Sequence, residues 1–264
     1  MLDGNKVTDI NKISEYGKAK GFLLAKRYGL PTYSNFYIVE NEKDLNELLI
    51  KFDSQNKFCM RSDTKIGNTP IGVGGRNGDR ETIYEYLREI EQKSKELHTK
   101  GVAIIYWNNG RFCSTFETDG CFYLDFVTGK KLNIDYIGKG WDGSVLSHGT
   151  ACHESYSIPW EDILFFSNKN RLQYRQKIIG NQQYNEQRRL RINEIHKRFN
   201  LSIEQCEKAI PETYLGINND YFKQVINQVI VPMYDAPELQ RYYKEYIPIA
   251  QIENGKILVP EVIL

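Results

Sequence analysis

The stretch Phe58-Cys59-Met60-Arg61-Ser62-Asp63 decides the reading of this chain, together with the loop after it, which carries Gly67, Gly72, Gly74, Gly75 and Gly78. Residues 57–61 have the character of a strand, and the glycine-rich loop runs to about residue 79. The strand therefore carries an arginine to the entrance of a flexible segment. Glycine lets a backbone approach a bulky anion and turn its N–H groups inward. A guanidinium at that entrance adds a planar fork of donors that suits phosphate oxygens. The combination reads as part of a nucleoside triphosphate site. Glycine content alone favours a plain surface loop, so the rest of the chain has to be weighed with it.

Working outward, residues 13–28 read as a helix with an apolar stripe, closed by Gly29 and Pro31. Residues 33–39 alternate as a strand, 42–52 read as a short helix, and 82–97 as a longer one. The middle of the chain changes character. Residues 102–107, 111–117, 121–127 and 132–137 are strand-like runs separated by turns such as Asn108-Asn109-Gly110 and Thr118-Asp119-Gly120, which predicts one antiparallel sheet. Helical patterns follow over 171–199, 202–210 and 220–234, with Ser202 and Gln205 spaced as a capping box. A hairpin over 247–252 and 256–263 closes the chain. The expected organisation is an N-terminal lobe over 1–100, a central antiparallel lobe over 101–160, a basic helical region over 161–246, and a terminal hairpin over 247–264 that closes the sheet. The fold class is α+β.

Composition narrows the possibilities. The chain has 264 residues, with 35 Lys and Arg against 34 Asp and Glu, a net charge of +1 that gives no global pull toward nucleic acid or membrane. Its five cysteines show no Cys-x-x-Cys spacing, so neither a disulfide framework nor a structural zinc site is expected. The N-terminus is polar and no apolar run approaches membrane-spanning length. A cytoplasmic protein without a membrane anchor is the expectation.

Three blocks stand in a fixed order: Tyr16-Gly17-Lys18-Ala19-Lys20 leading to Gly29-Leu30-Pro31 and Phe36-Tyr37-Ile38-Val39; the Arg61 block with its glycine loop; and Asp135-Tyr136-Ile137-Gly138-Lys139-Gly140 followed by Leu146-Ser147-His148-Gly149. Their order and spacing resemble the ATP-grasp nucleotide-binding domain, in the version found in phosphoenolpyruvate synthase, pyruvate phosphate dikinase and rifampin phosphotransferase. The resemblance covers about residues 12–150, and the final hairpin extends it. It implies a two-lobed ATP-grasp-like fold with a cleft between the lobes, ATP and Mg2+ as cofactors, and a helical C-terminal insertion outside the family pattern. It gives Lys18 the role of a point charge on the phosphates and Arg61 that of a bidentate grip. The loop around Gly72, Gly74 and Gly75 would cover the β and γ groups, and Phe116, Glu117, Asp125 and Asp135 would lie near the adenine. Glu261, ahead of Glu245 and Glu253, would hold magnesium, which needs only one or two protein carboxylates.

Other residues have plainer readings. Lys18 serves equally as a solvated helix lysine, as Lys20 or Lys26 would. Asp63 reads as a structural cap, and His148 and His153 as hydrogen-bonded loop histidines, because the phosphorylated histidine of the dikinase-like families lies on a separate domain. The stretch 171–198 carries Arg171, Arg175, Lys177, Arg188, Arg189, Arg191, Lys197 and Arg198, a charge that can meet nucleic acid or an acidic partner but that also suits a solvated face. Two function classes follow. One is Mg-ATP-dependent phosphoryl transfer or ligation to a small-molecule or protein acceptor. The other is a non-catalytic nucleotide-sensing or nucleic-acid-binding module that uses the basic helices.

Overall fold

The computed structural model describes residues 1–3, 15–32, 35–52, 58–107, 118–125, 131–141, 143–147, 149–163, 175–243, 247–253 and 255–263. The strand expected over 111–117, with Phe116 and Glu117, lies outside the described residues, as do His148, Arg171 and Glu245. The chain divides into two compact units: Met1–Arg27 with Thr32–Cys113, and Tyr28–Pro31 with Ser114–Leu264. Each is built on its own antiparallel sheet with helices, so the class is α+β.

Among the described residues, the sheet of the first unit has five strands in the order β1-β2-β5-β3-β4: β1 Leu2–Asp3, β2 Asn35–Val39, β3 Phe58–Thr64, β4 Arg76–Gly78 and β5 Gly101–Trp107. Sequence patterning assigns residues 102–107 to the same sheet as the strands that follow. The structure instead inserts β5 between β2 and β3, with Phe36 opposite Tyr106 and Arg61 opposite Ile104. Its residues Val102, Ala103, Ile104, Ile105 and Tyr106 are all buried, so both faces are covered. A continuous apolar run needs a central position of that kind, which an edge strand of a half-solvated meander does not offer.

Helix α1 (Gly17–Arg27) lies on one face of this sheet, where Phe22 packs 5.5 Å from both Phe36 and Tyr106. On the other face, α2 (Glu42–Leu49) and α3 (Arg80–Glu96) enclose a core of Leu45, Leu48, Phe58, Met60, Ile83, Tyr86 and Ile90. Both helices start on a side-chain cap: Asn41 accepts the Asp44 N–H, and Asp79 accepts the Thr82 N–H. The glycine loop is tied into the same core. Ile71 and Val73 are buried, whereas Gly72 and Gly74 between and after them are exposed. The Val73 carbonyl accepts the Ser62 hydroxyl at 2.7 Å.

The second unit carries a six-stranded sheet in the order β11-β10-β6-β7-β8-β9, from β6 Gly120–Asp125, β7 Lys131–Gly138, β8 Glu154–Pro159, β9 Arg175–Ile178, β10 Ile247–Glu253 and β11 Lys256–Ile263. The terminal hairpin joins through β10 to β6. One face, with Phe122, Tyr136 and Tyr156, packs on Phe222 of α7 (Asn219–Val225). Part of the other is covered by α4 (Gly143–Ser147), α5 (Asn181–Phe199) and α6 (Ile203–Ala209) around Cys121, Ile137, Ile195 and Ile249. Two further helices, α8 (Val231–Tyr234) and α9 (Pro237–Tyr243), precede the final hairpin.

The helix expected from residue 171 begins only at Asn181. Residues Arg175–Ile178 pair with β8, and Gly180, in extended backbone, caps the helix start. Ser202 and Gln205 form the expected capping box, and Asn200 before it takes the left-handed conformation that ends α5.

His153 sits inside this unit at 1% exposure, ringed by Trp141, Tyr184 and Tyr214 at centroid distances of 5.0–5.2 Å. Its Nδ1 accepts the Gly138 N–H at 3.0 Å, which requires the neutral ring. Burial lowers its pKa to about 4. The folded value lies below the unfolded one, so the stabilisation is complete above pH ~6.5 and is lost as pH falls toward 4. The expected loss is about 3 kcal/mol over that window, and His153→Gln flattens the acid limb of a stability–pH curve measured by denaturant unfolding. For the first unit, Ile71→Ala empties a buried site and is expected to cost about 2–3 kcal/mol by the same method.

Candidate functional site

Arg61 is the one residue of β3 that is not buried, in the pattern of three buried, one half-buried, three buried. Sequence patterning ends the strand at Arg61. In the structure β3 runs on to Thr64, its pairing with β5 continuing from Arg61↔Ile104 to Thr64↔Gly101. The extension holds because the polar side chains that follow are satisfied inside the protein: Ser62 by the Val73 carbonyl, and Asp63 by backbone N–H groups.

Strand alternation puts Cys59, Arg61 and Asp63 on one face of the sheet, the face that carries α1. Asp63 is 3% exposed. Its Oδ2 accepts the Ala19 N–H at 2.9 Å and its Oδ1 accepts the Thr64 N–H at 2.9 Å. The Lys18 N–H also bonds to it. The Lys18 and Ala19 N–H groups are donors that the first turn of a helix leaves without internal partners. Burial pushes the Asp63 carboxyl up from its ordinary value; the Ala19, Lys18 and Thr64 N–H groups and the Lys18 charge pull it back down. Asp63 is thus the structural cap that its position in the sequence suggests. The start of α1 is further pinned by the Tyr16–Lys65 bridge and by the Ile66 N–H on the Glu15 carbonyl at 2.7 Å.

Arg61 is oriented by two neighbours. Its Nε donates to the Tyr106 hydroxyl at 3.2 Å. Its guanidinium lies over Gly75, where a Cβ would stand 1.5 Å from Nη1. Gly75 thus leaves the space in which the guanidinium lies, whereas Gly72 takes a positive φ of 68°, and both Gly72 and Gly74 have open space around them. The two lysines compared at the sequence level differ in setting. Lys26 stands 5.6 Å from the Phe36 ring centroid and its pKa is lowered by burial. Lys18 is half-buried, and its charge acts on Asp63.

Of the remaining expected site residues, Asp125, Asp135 and Glu261 belong to the second unit, and Glu117 lies outside the described residues. Asp135 is opposite Tyr123 on β6 and Ser155 on β8; Tyr123 is opposite Ile249 on β10, and Ile249 is opposite Glu261 on β11. The backbone register therefore aligns these positions in one row across the sheet. Asp125 follows Tyr123 by two residues, on the same face. Ser155 donates its hydroxyl to Asp135, and the charges of Asp125 and Asp135 add to burial in raising the Tyr123 pKa. Among the described residues no group of three or more His, Cys, Asp or Glu is arranged to hold a metal. Asp125, Asp135 and Ser155 are half-exposed.

Sequence reasoning missed Tyr106 and the spatial need for Gly75, because neither is adjacent to Arg61 in the chain. The basic stretch is partly consumed internally. Arg188 donates to the Ile210 and Glu207 carbonyls at 3.1 Å each. Arg191, 2% exposed, donates to the Gly140 carbonyl and pairs with Glu194. Arg189, Lys197 and Arg198 stay exposed.

No protein-family model matches this chain, and no curated protein matches it. Among solved structures it is similar to the dinucleotide forming acetyl-coenzyme A synthetase 1 of Ca. Korarchaeum cryptofilum, at 9% identity and TM-score 0.46 over 95% of this chain and 93% of that one. A protein of Pyrococcus horikoshii gives 9% identity and TM-score 0.48 over 97% and 94% of the two chains. The D-alanine-D-alanine ligase of Helicobacter pylori gives 12% identity and TM-score 0.41 over 95% of this chain and 54% of the ligase. At TM-scores below 0.5 these likenesses carry no argument about the chemistry of this chain.

The setting of Arg61 has a direct consequence. Gly75→Ala is expected to displace the guanidinium and break its bond to Tyr106, seen as a shifted Arg61 Nε–H resonance. The stability loss should stay below about 1 kcal/mol, because a half-exposed guanidinium can swing into water.

Proposed function

We propose that the protein binds Mg-ATP in the ATP-grasp manner and uses it for phosphoryl transfer or ligation to a small-molecule or protein acceptor. The observation that carries this reading is the placement of Arg61: the single half-exposed side chain of an otherwise buried central strand, on the sheet face where Asp63 grips the helix that bears Lys18. Tyr106 orients the guanidinium, and Gly75 leaves the space in which it lies. Such a half-exposed cation suits a triphosphate tail, since paired N–H donors match phosphate oxygens and an ammonium adds a point charge.

In this reading Arg61 and Lys18 bind and orient the phosphates, the open backbone at Gly72 and Gly74 leaves room for close approach, and Gly75 seats the Arg61 guanidinium. Bound magnesium supplies charge neutralisation on the phosphoryl oxygens. The protein's own contribution is positioning and electrostatic stabilisation, which is most of what phosphoryl transfer requires. The non-catalytic, nucleic-acid-binding alternative loses weight because Arg188 and Arg191 are spent on internal carbonyls and on Glu194.

Titration calorimetry with a non-hydrolysable ATP analogue and magnesium tests the reading. Arg61→Ala is expected to weaken binding at least tenfold while leaving the unfolding midpoint nearly unchanged. Lys18→Ala should weaken binding more than Lys26→Ala. Wild-type affinity in Arg61→Ala refutes the assignment.

A further inference from the structure

Asp63 is a buried carboxylate that the phosphate grip does not itself use, and it joins the strand that bears Arg61 to the helix that bears Lys18. It stands two residues from Arg61 on the same strand face, accepts the Ala19 N–H at 2.9 Å and the Lys18 N–H, and lies within reach of the Lys18 charge. A buried carboxylate costs several kcal/mol to desolvate unless its oxygens are hydrogen-bonded, so its bonds to the helix start resist stretching. The same bonds fix the distance between strand and helix. Lys18 is the second residue of α1, so its backbone cannot move away from β3 without uncovering Asp63.

Resting on the Mg-ATP reading above, we propose that Asp63 is a positioning residue for nucleotide binding: it acts through Lys18, holding the lysine in register with Arg61 so that both cations meet one ligand. Asp63 makes no contact with nucleotide. Its carboxylate also occupies the N–H groups at the start of α1, which removes that helix end as a phosphate-binding point and leaves the anion to the side chains. The ligand class is accordingly one with phosphate groups that can span an ammonium and a guanidinium. Di- and triphosphates offer several such groups.

A double-mutant cycle tests this. Affinities for the magnesium complex of a non-hydrolysable ATP analogue are measured for wild type, Asp63→Asn, Lys18→Ala and the double variant, with AMP as a second ligand throughout. Thermal unfolding confirms that each variant folds, and Asp63→Ser replaces Asp63→Asn if the amide variant does not. The expected result is a loss of about tenfold for each single variant and no more than about tenfold for the double, because both changes disable the same lysine. AMP affinity is expected to be weak and unchanged across the set. A double variant that loses about a hundredfold, or an Asp63→Asn variant with wild-type affinity, overturns the role of Asp63 while leaving the nucleotide reading intact. Absence of nucleotide binding in the wild type, or wild-type affinity in Arg61→Ala, overturns the reading and this inference together.

Discussion

A carboxylate sealed beneath a helix end organises the first unit of this protein. Asp63 is almost fully buried and takes hydrogen bonds from Ala19, Lys18 and Thr64. The positive end of a helix is one of the few surroundings in which a buried negative charge is tolerable, because the unpaired N–H groups and the aligned peptide dipoles both favour it. The carboxylate in turn supplies what the helix start lacks. Strand β3 and helix α1 thereby become one rigid element, reinforced by the Tyr16–Lys65 bridge and the bond from Ile66 to Glu15. The half-exposed Arg61 and the lysine of the first helical turn inherit their positions from that element.

The glycine loop shows a division of labour. Ile71 and Val73 drive their side chains into the core shared with Met60, Tyr86 and Ile90, and the Ser62 hydroxyl holds the Val73 carbonyl. Gly72 and Gly74 stay outside, with nothing near where a Cβ would stand. Gly75 answers to a different demand, the space under the Arg61 guanidinium. The loop thus combines a hydrophobic anchor, exposed backbone and a seat for a cation within five residues, 71–75.

In the second unit, register does the organising. The pairing of β10 with β6 and β11 sets Glu261 in line with Ile249, Tyr123, Asp135 and Ser155, residues drawn from widely separated parts of the chain. The covered part of that sheet face is stabilised by the aromatic ring around His153 and by Arg191, whose guanidinium is buried against Trp141 and bonded to the Gly140 carbonyl. A basic-looking sequence segment therefore contributes to the interior. Arginine is suited to this, since its long apolar stem and fixed fork of donors allow burial when carbonyls or carboxylates are at hand.

Local signals in the sequence determined what depends on neighbours in the chain. The apolar stripe of α1, the period of β2 and β3, the caps at Ser202 and Gln205, and the hairpin at Gly255 all rest on interactions within a few residues, as do the glycine loop and the arginine before it. Tertiary structure alone decided the rest. The run from Val102 to Tyr106 is equally apolar as an edge or a centre strand, and only the space between β2 and β3 made it central. Whether Arg191 faces water or Trp141, and whether Asp63 meets solvent or a helix end, depends on partners 50 and 44 residues away respectively. Composition and periodicity carry no information about such distant partners, because burial and charge pairing are set by where the folded chain brings them.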